Sequence, residues 1–483
     1  MNTNAGHSGA FSFHYSLPDG ERKTAAVAAS PALGWKQTLS LAAGAVACFH
    51  LAFYSADLSF LIVGFLYCLL RLAELKTARQ AARVGLAIGL ACYVPHLWFF
   101  WIVFKGGAMA LWYVLAFWLA LFVVLARACR ARFGPVNLLI LAPFLWTGLE
   151  YFRGELYYLR FSWMSAGYAL VDARPLSWLG GLGVYGIGFA GMAVAGLFYL
   201  KSRWARGMAA LLVAGVWLCP ALPPAASASK SLQVAGVQME FPIPSQVTFY
   251  LDQVVKKYPL AELLVLSEYS FDGPVPAKVT KWCRDHRKYL IAGGKDPLPN
   301  HQYYNTAFVI GPEGEVVFKQ VKSVPVQFFA DGLPAPERRV WDSPWGKIGM
   351  GVCYDASYRR VVDDFIAQGA QTLIFPTMDV EDWGLYQHLM NGRAARMRTA
   401  EYGVACFRVC SSGISQIIAP NGAIMASASF PGQGDIIGGE LPVVGRGRLP
   451  LDHWLAPVAT GITGLFCIWL LFEAVRKKRL KSK

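Results

Sequence analysis

A thiol, a carboxylate and an amine sit at or near the ends of successive strand-like segments, and together they suit nucleophilic acyl chemistry. Cys353 closes the apolar run Lys347-Ile348-Gly349-Met350-Gly351-Val352 and is followed at once by polar Tyr354 and Asp355. Glu268 closes a second apolar run, Leu263-Leu264-Val265-Leu266-Ser267. Between them, Gly314 to Lys322 reads as a strand carrying Lys319 and Lys322. Acyl transfer through a covalent intermediate needs a nucleophile, a base to take its proton, and a cation to hold the oxyanion. The bland readings are a buried apolar cysteine and an ordinary loop carboxylate. Position favours chemistry, because a strand-to-helix turn exposes a nucleophile and aims backbone N–H groups at an oxyanion. Arg359 and Arg360, in the helix that follows, are expected to lower the thiol pKa. Lys319 and Lys322 are three apart and face opposite sides of a strand, so only one can point to the thiol. Lys322 shares its face with Phe318 and Gln320.

Other candidates are weaker. Asp379, Glu381, Asp382 and His388 match no metal-ligand spacing and read as loop and surface residues. The ten cysteines contain no CxxC pair, which argues against zinc. His96, beside Trp98, Phe99, Phe100 and Trp101, is a polar residue in an apolar run. Such residues are functional candidates, and a helix-packing role weighs equally here. Phe328-Phe329 and Trp383 to Tyr386 suit either a membrane interface or core packing.

The segments that must position these residues alternate strand and helix. Strands are expected at Leu232–Gln238, Leu263–Ser267, Tyr289–Gly293, Tyr304–Ile310, Val316–Val321, Lys347–Cys353, Thr372–Pro376, Val404–Cys410, Ile414–Ile418 and Ala423–Ala428. Helices are expected at Pro244–Lys257, Ala277–His286, Arg359–Gln368 and Gln387–Glu401. Gly311-Pro312-Glu313-Gly314 and Pro420-Asn421-Gly422 mark hairpin turns. The alternation predicts an α/β sandwich.

That block lies inside a chain of another character. The 483 residues are 55% hydrophobic and 16% charged, against about 25% charged in an average soluble chain. Spanning helices need about 20 apolar residues, and eight are expected, at 38–55, 57–75, 83–104, 107–127, 135–151, 178–200, 204–221 and 454–473. The domains follow: a tail over 1–37, a seven-helix bundle over 38–221, a globular domain over 230–450 after the linker Pro220–Lys230, an eighth span over 454–473 and a basic tail over 474–483. Lysines and arginines cluster at Arg22 to Lys36, Lys76 to Arg83, Arg127 to Arg132, Lys201 to Arg206 and after Arg476. By the positive-inside rule both termini are cytoplasmic and the globular domain is outside. The net charge of +15 is mostly this bias, scattered over loops, and does not point to nucleic acid.

Motif order then adds a resemblance. The Glu–Lys–Cys order is similar to the nitrilase superfamily, whose members fold as an αββα sandwich. Phe161-Ser162-Trp163 with Gly167-Tyr168, Gly183-Val184-Tyr185-Gly186, Tyr304-Asn305-Thr306, Gly351-Val352-Cys353-Tyr354-Asp355, Asp382-Trp383-Gly384, Arg398-Thr399-Ala400-Glu401 and Ser411-Ser412-Gly413 resemble, in order, the apolipoprotein N-acyltransferase family of bacterial inner-membrane enzymes. The resemblance runs over about residues 40 to 475. It implies Glu268 as general base, Lys322 (or Lys319) as oxyanion stabiliser and Cys353 as nucleophile, supported by Tyr354, Asp355 and Trp383. It also implies a membrane phospholipid as acyl donor, a diacylated lipoprotein as acceptor, a lipid bilayer as setting, and no cofactor. Two departures stand out. Asp355 replaces the family's usual Glu, and the Gly-Glu after the lysine is missing, with Gln327 or Phe328 in its vicinity. A membrane-tethered amidase or hydrolase, and an inactive relative acting as a scaffold, remain as alternatives.

Overall fold

In the first half of the chain, apolar runs leave the backbone no choice but to satisfy its own hydrogen bonds, and helices result. The computed structural model describes residues 32–218 and 230–481. Helices α1 (Trp35–Tyr54), α2 (Ile62–Arg71), α3 (Ala78–His96), α4 (Phe99–Phe104), α5 (Gly107–Tyr151), α6 (Leu179–Tyr199) and α7 (Arg203–Leu218) follow in order. Five segments among the described residues are long and apolar enough to cross a membrane: Trp35–Tyr54, Ala56–Glu74, Gly107–Leu156, Pro175–Tyr199 and Asp452–Leu480. The expected third span is divided into α3 and α4, because the helix ends past Pro95 at Leu97, which leaves helical geometry (φ −114°, ψ 29°). The expected fourth and fifth spans are the two halves of α5. They meet at Gly134, whose φ of 82° and ψ of 175° precede Pro135, which offers no N–H to continue the ladder. The described part of the seventh is the 16 residues of α7. Most of the 1–37 tail, the Pro220–Lys230 linker and the last two residues lie outside the described residues. Small residues set the tightest crossing. Cβ atoms added at Gly85 and Gly89 of α3 would each lie 2.7 Å from a Cα of α5, at Ala120 and Ala116.

The second half is a sandwich of two six-stranded sheets. Its first sheet contains β1 (Lys230–Val237), β2 (Leu263–Leu266), β3 (Tyr289–Pro297), β4 (Tyr303–Ile310) and β5 (Val316–Val321). The second contains β6 (Val340–Ser343), β7 (Gly346–Met350), β8 (Thr372–Thr377), β9 (Ala405–Cys410), β10 (Gln416–Ile418) and β11 (Ile424–Ser427). Strand β12 (Ile436–Val443) returns to pair with β1. Pairing is parallel at the centre of each sheet, β1–β2–β3 and β7–β8–β9. Those central strands read as unbroken apolar runs because both faces are covered. Leu232, Val265 and Ile291 meet Ile348, Ile374 and Phe407 between the sheets. Helices α8 (Pro244–Lys257) and α9 (Ala277–His286) cover one outer face, and α10 (Arg359–Ala367) and α11 (Leu385–Tyr402) the other. Two strands were not expected, β6 and β12. Gly438, Gly439, Glu440 and Pro442 hide the strand pattern of β12, which pairs antiparallel at the sheet edge, where such residues are tolerated. The expected strand Lys347–Cys353 stops at Met350.

The two halves are locked by buried polar contacts. Past α5, the segment Phe152–Leu156 places Glu155 under α10, where its carboxylate accepts from the Arg359 backbone N–H (2.9 Å) and the Tyr185 hydroxyl (3.2 Å). Arg359 pairs with Asp363 (3.2 Å) and with Asp452 (3.3 Å), the first residue of α12 (Asp452–Lys481). Ser162 and Trp163 donate to the carbonyl and hydroxyl of Ser357, both at 2.7 Å. The Phe161–Gly167 stretch is thereby fixed against the turn that carries Cys353.

Candidate active site

The site forms at the carboxyl ends of central strands, where side chains leave the sheet and backbone groups become free to bind. Two residues past β2, Glu268 is 2% exposed. Lys322 follows the last residue of β5 on the face of buried Gln320 and is 1% exposed. Cys353 opens a single 3₁₀ turn, Cys353–Ser357, between β7 and α10. Its φ is +51°, a left-handed conformation that a non-glycine residue holds only where surrounding contacts enforce it. Asp355 supplies that enforcement. Its carboxylate accepts from the backbone N–H groups of Val352 (3.0 Å), Ser323 (3.0 Å) and Val324 (2.8 Å), tying the nucleophile turn to the chain just after Lys322. Burial raises the Asp355 pKa, and those N–H groups oppose the rise.

Lys322, not Lys319, reaches the carboxylates. Its Nζ lies 2.8 Å from Glu268 Oε1 and 2.7 Å from Asp331 Oδ2. Lys319 pairs with Asp296 at 2.8 Å on the surface, its side chain 44% exposed. Asn305 bridges the two acids, donating to Glu268 Oε1 (2.6 Å) and Asp331 Oδ1 (2.8 Å). Glu268 Oε2 accepts from the Met378 N–H at 2.9 Å, and the Cys353 thiol lies 3.6 Å from the Met378 carbonyl. Acid and thiol thus converge on the backbone of one residue, Met378, just past β8.

Electrostatics follow from this packing. Burial raises the Glu268 pKa, Asp331 adds to the rise, and Lys322 opposes it without cancelling it. Burial works against the Lys322 charge, but Asp331 and Glu268 overcome it and hold the ammonium well above its usual value. Burial works to raise the Asp331 pKa, but Lys322, the Val326 N–H and the Tyr269 hydroxyl together lower it. The Cys353 thiol is pushed well above its usual value by burial and by Glu268, with Lys322 in opposition. Arg359 and Arg360, expected to lower it, do not. They are turned to Asp363, Asp452 and Glu155. The resting nucleophile is therefore a thiol, and attack requires a base.

Asp331 is the residue sequence reading missed. Its carboxylate also accepts from the Val326 N–H (2.7 Å) and the Tyr269 hydroxyl (2.8 Å). The only signal was an acid before a glycine in Phe328-Phe329-Ala330-Asp331-Gly332. Gln327 instead donates to the Tyr158 carbonyl (3.3 Å), and Phe328 is exposed. A second correction concerns Asp379 and His388, read as loop and surface residues; both are fully buried. Asp379 accepts from Gln387 (3.0 Å), Asn391 (2.6 Å) and Arg408 (2.7 Å), a cluster directly beneath Met378. Glu381 and Asp382 are exposed. His96 is buried, with His50 at 3.0 Å and the Tyr386 hydroxyl on its other nitrogen, so it joins α1, α3 and α11.

Cys353, Glu268 and Lys322 line one end of a cavity of about 690 Å³. One wall is apolar and comes from α4 and α5, with Phe99, Phe100, Phe104 and Leu111, while Arg160, Lys295 and Asn391 also line the cavity. Tyr354 borders it, 6.2 Å from the Trp163 ring, and Trp383 lies 6.2 Å from Phe329 at its edge. The arrangement can acylate a thiol with a substrate whose acyl part is long and apolar.

Residues 44–197 match the family model of the apolipoprotein N-acyltransferase N-terminal domain, and residues 241–443 match that of carbon-nitrogen hydrolase. An apolipoprotein N-acyltransferase of Geobacter metallireducens is 26% identical over 420 residues, covering 72% of this chain and 79% of the relative. One of Ralstonia nicotianae is 25% identical over 438 residues, covering 77% and 79%. An omega-amidase of Xenopus laevis is 26% identical over 169 residues, 29% of this chain and 58% of that protein. Among solved structures, Nit3 of Saccharomyces cerevisiae, from branch 10 of the nitrilase superfamily, aligns with a TM-score of 0.38 and 21% identity over 46% of this chain and 93% of its own.

Proposed function

Because the chain belongs to the nitrilase superfamily, in the branch of the apolipoprotein N-acyltransferases, we propose that it moves an acyl chain from a membrane phospholipid to the α-amine of an S-diacylglyceryl cysteine on a lipoprotein, through a thioester on Cys353. The observation that carries this reading is a buried base, ammonium and thiol at the end of an apolar cavity walled by membrane-type helices.

Glu268 takes the thiol proton as the sulfur attacks the ester carbonyl of the donor. The carbonyl electrons move to oxygen, and the oxyanion is met by the Lys322 ammonium and the Tyr354 backbone N–H. Collapse breaks the ester C–O bond. The leaving alkoxide takes the proton from Glu268, and lysophospholipid departs. The acceptor amine then attacks the thioester and gives a proton to Glu268. The Cys353 sulfur leaves and is reprotonated, so the enzyme is restored. The raised pKa of Glu268 makes it a stronger base than a solvated carboxylate. Asp355 and Trp383 support, the first by fixing the nucleophile turn and the second by closing the cavity edge. We read 38–221 and 454–473 as the membrane part and 230–450 as the catalytic domain. The basic loops support a reading in which that domain lies on the outer side of the cytoplasmic membrane and both termini in the cytoplasm.

The test is intact-mass analysis of the purified protein incubated with phospholipid, alongside Cys353→Ala. A hydroxylamine-labile acyl adduct is expected on the wild type only, discharged by a diacylated lipopeptide into a triacylated product. Discharge by water at the same rate, with or without the lipopeptide, would make the chain a hydrolase. No adduct and no lysophospholipid would refute acyl transfer.

A further inference from the structure

Three cations line the cavity, and two are neutralised where they stand. Lys322 is held by Glu268 and Asp331, and Lys295 by Asp272. The third, Arg160, faces no carboxylate among the described residues. Its Nε–H is shut off from solvent and meets no acceptor. The guanidinium carbon lies 5.8 Å from the Tyr358 ring centroid, and the Arg160 carbonyl accepts from the hydroxyls of Tyr358 (3.2 Å) and Tyr354 (3.5 Å). Backbone and head group are therefore held in place beside the residue that follows the nucleophile. An unpaired, shielded donor on a permanently charged group is costly and is rarely retained without a partner.

Depth within the fold says what that partner is. Arg160 lies just past the end of α5 and its continuation Phe152–Leu156; its neighbour Phe161 packs on Phe100 of α4 (5.2 Å between ring centroids), and its carbonyl meets Tyr354 of the catalytic turn. A spanning helix ends at the lipid head groups, the level of their phosphates. The guanidinium fork matches phosphate oxygens in shape and charge. Resting on the acyl-transfer reading above, we propose that Arg160 is a specificity-determining residue that binds the phosphodiester anion of the donor glycerophospholipid. In that pose the glycerol unit spans from Arg160 towards Cys353, an ester carbonyl comes within reach of Sγ, and its acyl chain runs along Phe99, Phe100 and Phe104. A neutral diacylglycerol carries the same esters without the anion that Arg160 selects.

The experiment uses the full-length protein in detergent micelles with two donors of identical chains, dioleoylphosphatidylglycerol and dioleoylglycerol. The rate of Cys353 acylation by each is read by intact mass in wild type, Arg160→Gln and Arg160→Lys. A lost charge-assisted hydrogen bond corresponds to roughly ten- to a hundredfold in affinity. The phosphatidylglycerol-to-dioleoylglycerol rate ratio is expected to fall by that factor in Arg160→Gln and by less in Arg160→Lys. An unchanged ratio, or a parallel fall with both donors, overturns the assignment and leaves acyl transfer standing. A wild type acylated by neither donor removes the acyl-transfer reading itself, and Arg160 with it.

Discussion

Replacing Asp331 by asparagine removes one of the two charges that hold Lys322 and leaves the shape almost unchanged. In the native protein Asp331 accepts four hydrogen bonds, from Lys322, Val326, Asn305 and Tyr269, at 2.7 to 2.8 Å. An amide has one acceptor oxygen. If that oxygen serves Lys322 and Val326, its NH2 faces the Asn305 amide donor, and the bridge from Asn305 to Glu268 is disturbed. The bond to Lys322 also loses one of its two charges; a hydrogen bond to a charged group is worth about 1.5–3 kcal/mol in all, which bounds that loss. With one carboxylate left, the ammonium is drawn onto Glu268. That makes Glu268 a weaker base and Lys322 a poorer partner for the oxyanion. Both effects act on the chemical step, so the single-turnover rate of Cys353 acylation should fall roughly ten- to a hundredfold, at 1.4 kcal/mol per decade. The assay is the time course of the acyl adduct by intact mass at saturating phospholipid, on protein whose folding is checked by size-exclusion profile and melting temperature. A variant that is folded and acylates at the wild-type rate would refute the view that Asp331 positions Lys322.

Acylation should rise with pH through a midpoint above the ordinary glutamate value of about 4.3, because Glu268 must be ionised to accept the proton and burial raises its pKa; a midpoint at or below that value in a pH–rate profile contradicts this. Stability has the opposite sign for the two acids. The raised Glu268 favours folding below its unfolded pKa and loses that contribution as pH rises through its folded value. The lowered Asp331 favours folding above about 3.9 and loses its contribution as pH falls. Asp331→Asn should therefore flatten the acid limb of melting temperature against pH. Lys319→Ala removes an exposed pair worth about 0–1 kcal/mol and should leave acylation within about twofold of wild type, whereas Lys322→Ala should abolish it; equal effects from both would overturn the choice of lysine. Arg359→Met removes the cation shared by Asp363 and Asp452, leaves Asp363 to Tyr402 and His453 and Asp452 to the Tyr185 N–H, and should cost about 3–5 kcal/mol, read as a drop in melting temperature; an unchanged melting temperature would refute it.

The sequence alone carried the elements whose cause is local. Period and apolar run length marked the helices and the central strands, since a strand covered on both faces has to be apolar throughout. The strand-end positions of Glu268 and Cys353 were visible because an apolar run stopping at a polar group is a local event. What depended on packing was hidden. Spacing left Lys319 and Lys322 as alternatives, and only the tertiary fold, which buries the Gln320–Lys322 face of β5 and leaves Lys319 at the surface, separates them. Asp331 lies nine residues past Lys322 in an irregular stretch, where no period constrains it, and its role exists only because the chain folds back over the ammonium. The charge of Arg359 suggested a lowered thiol pKa, but its direction is set by Asp452, 93 residues away, at the start of α12. The left-handed turn at Cys353 has no glycine to announce it, because the Asp355 carboxylate and the backbone groups it binds hold it there. Residue type determined which groups could react; the electrostatic field around each was decided by neighbours that only the tertiary structure brings within a few ångströms.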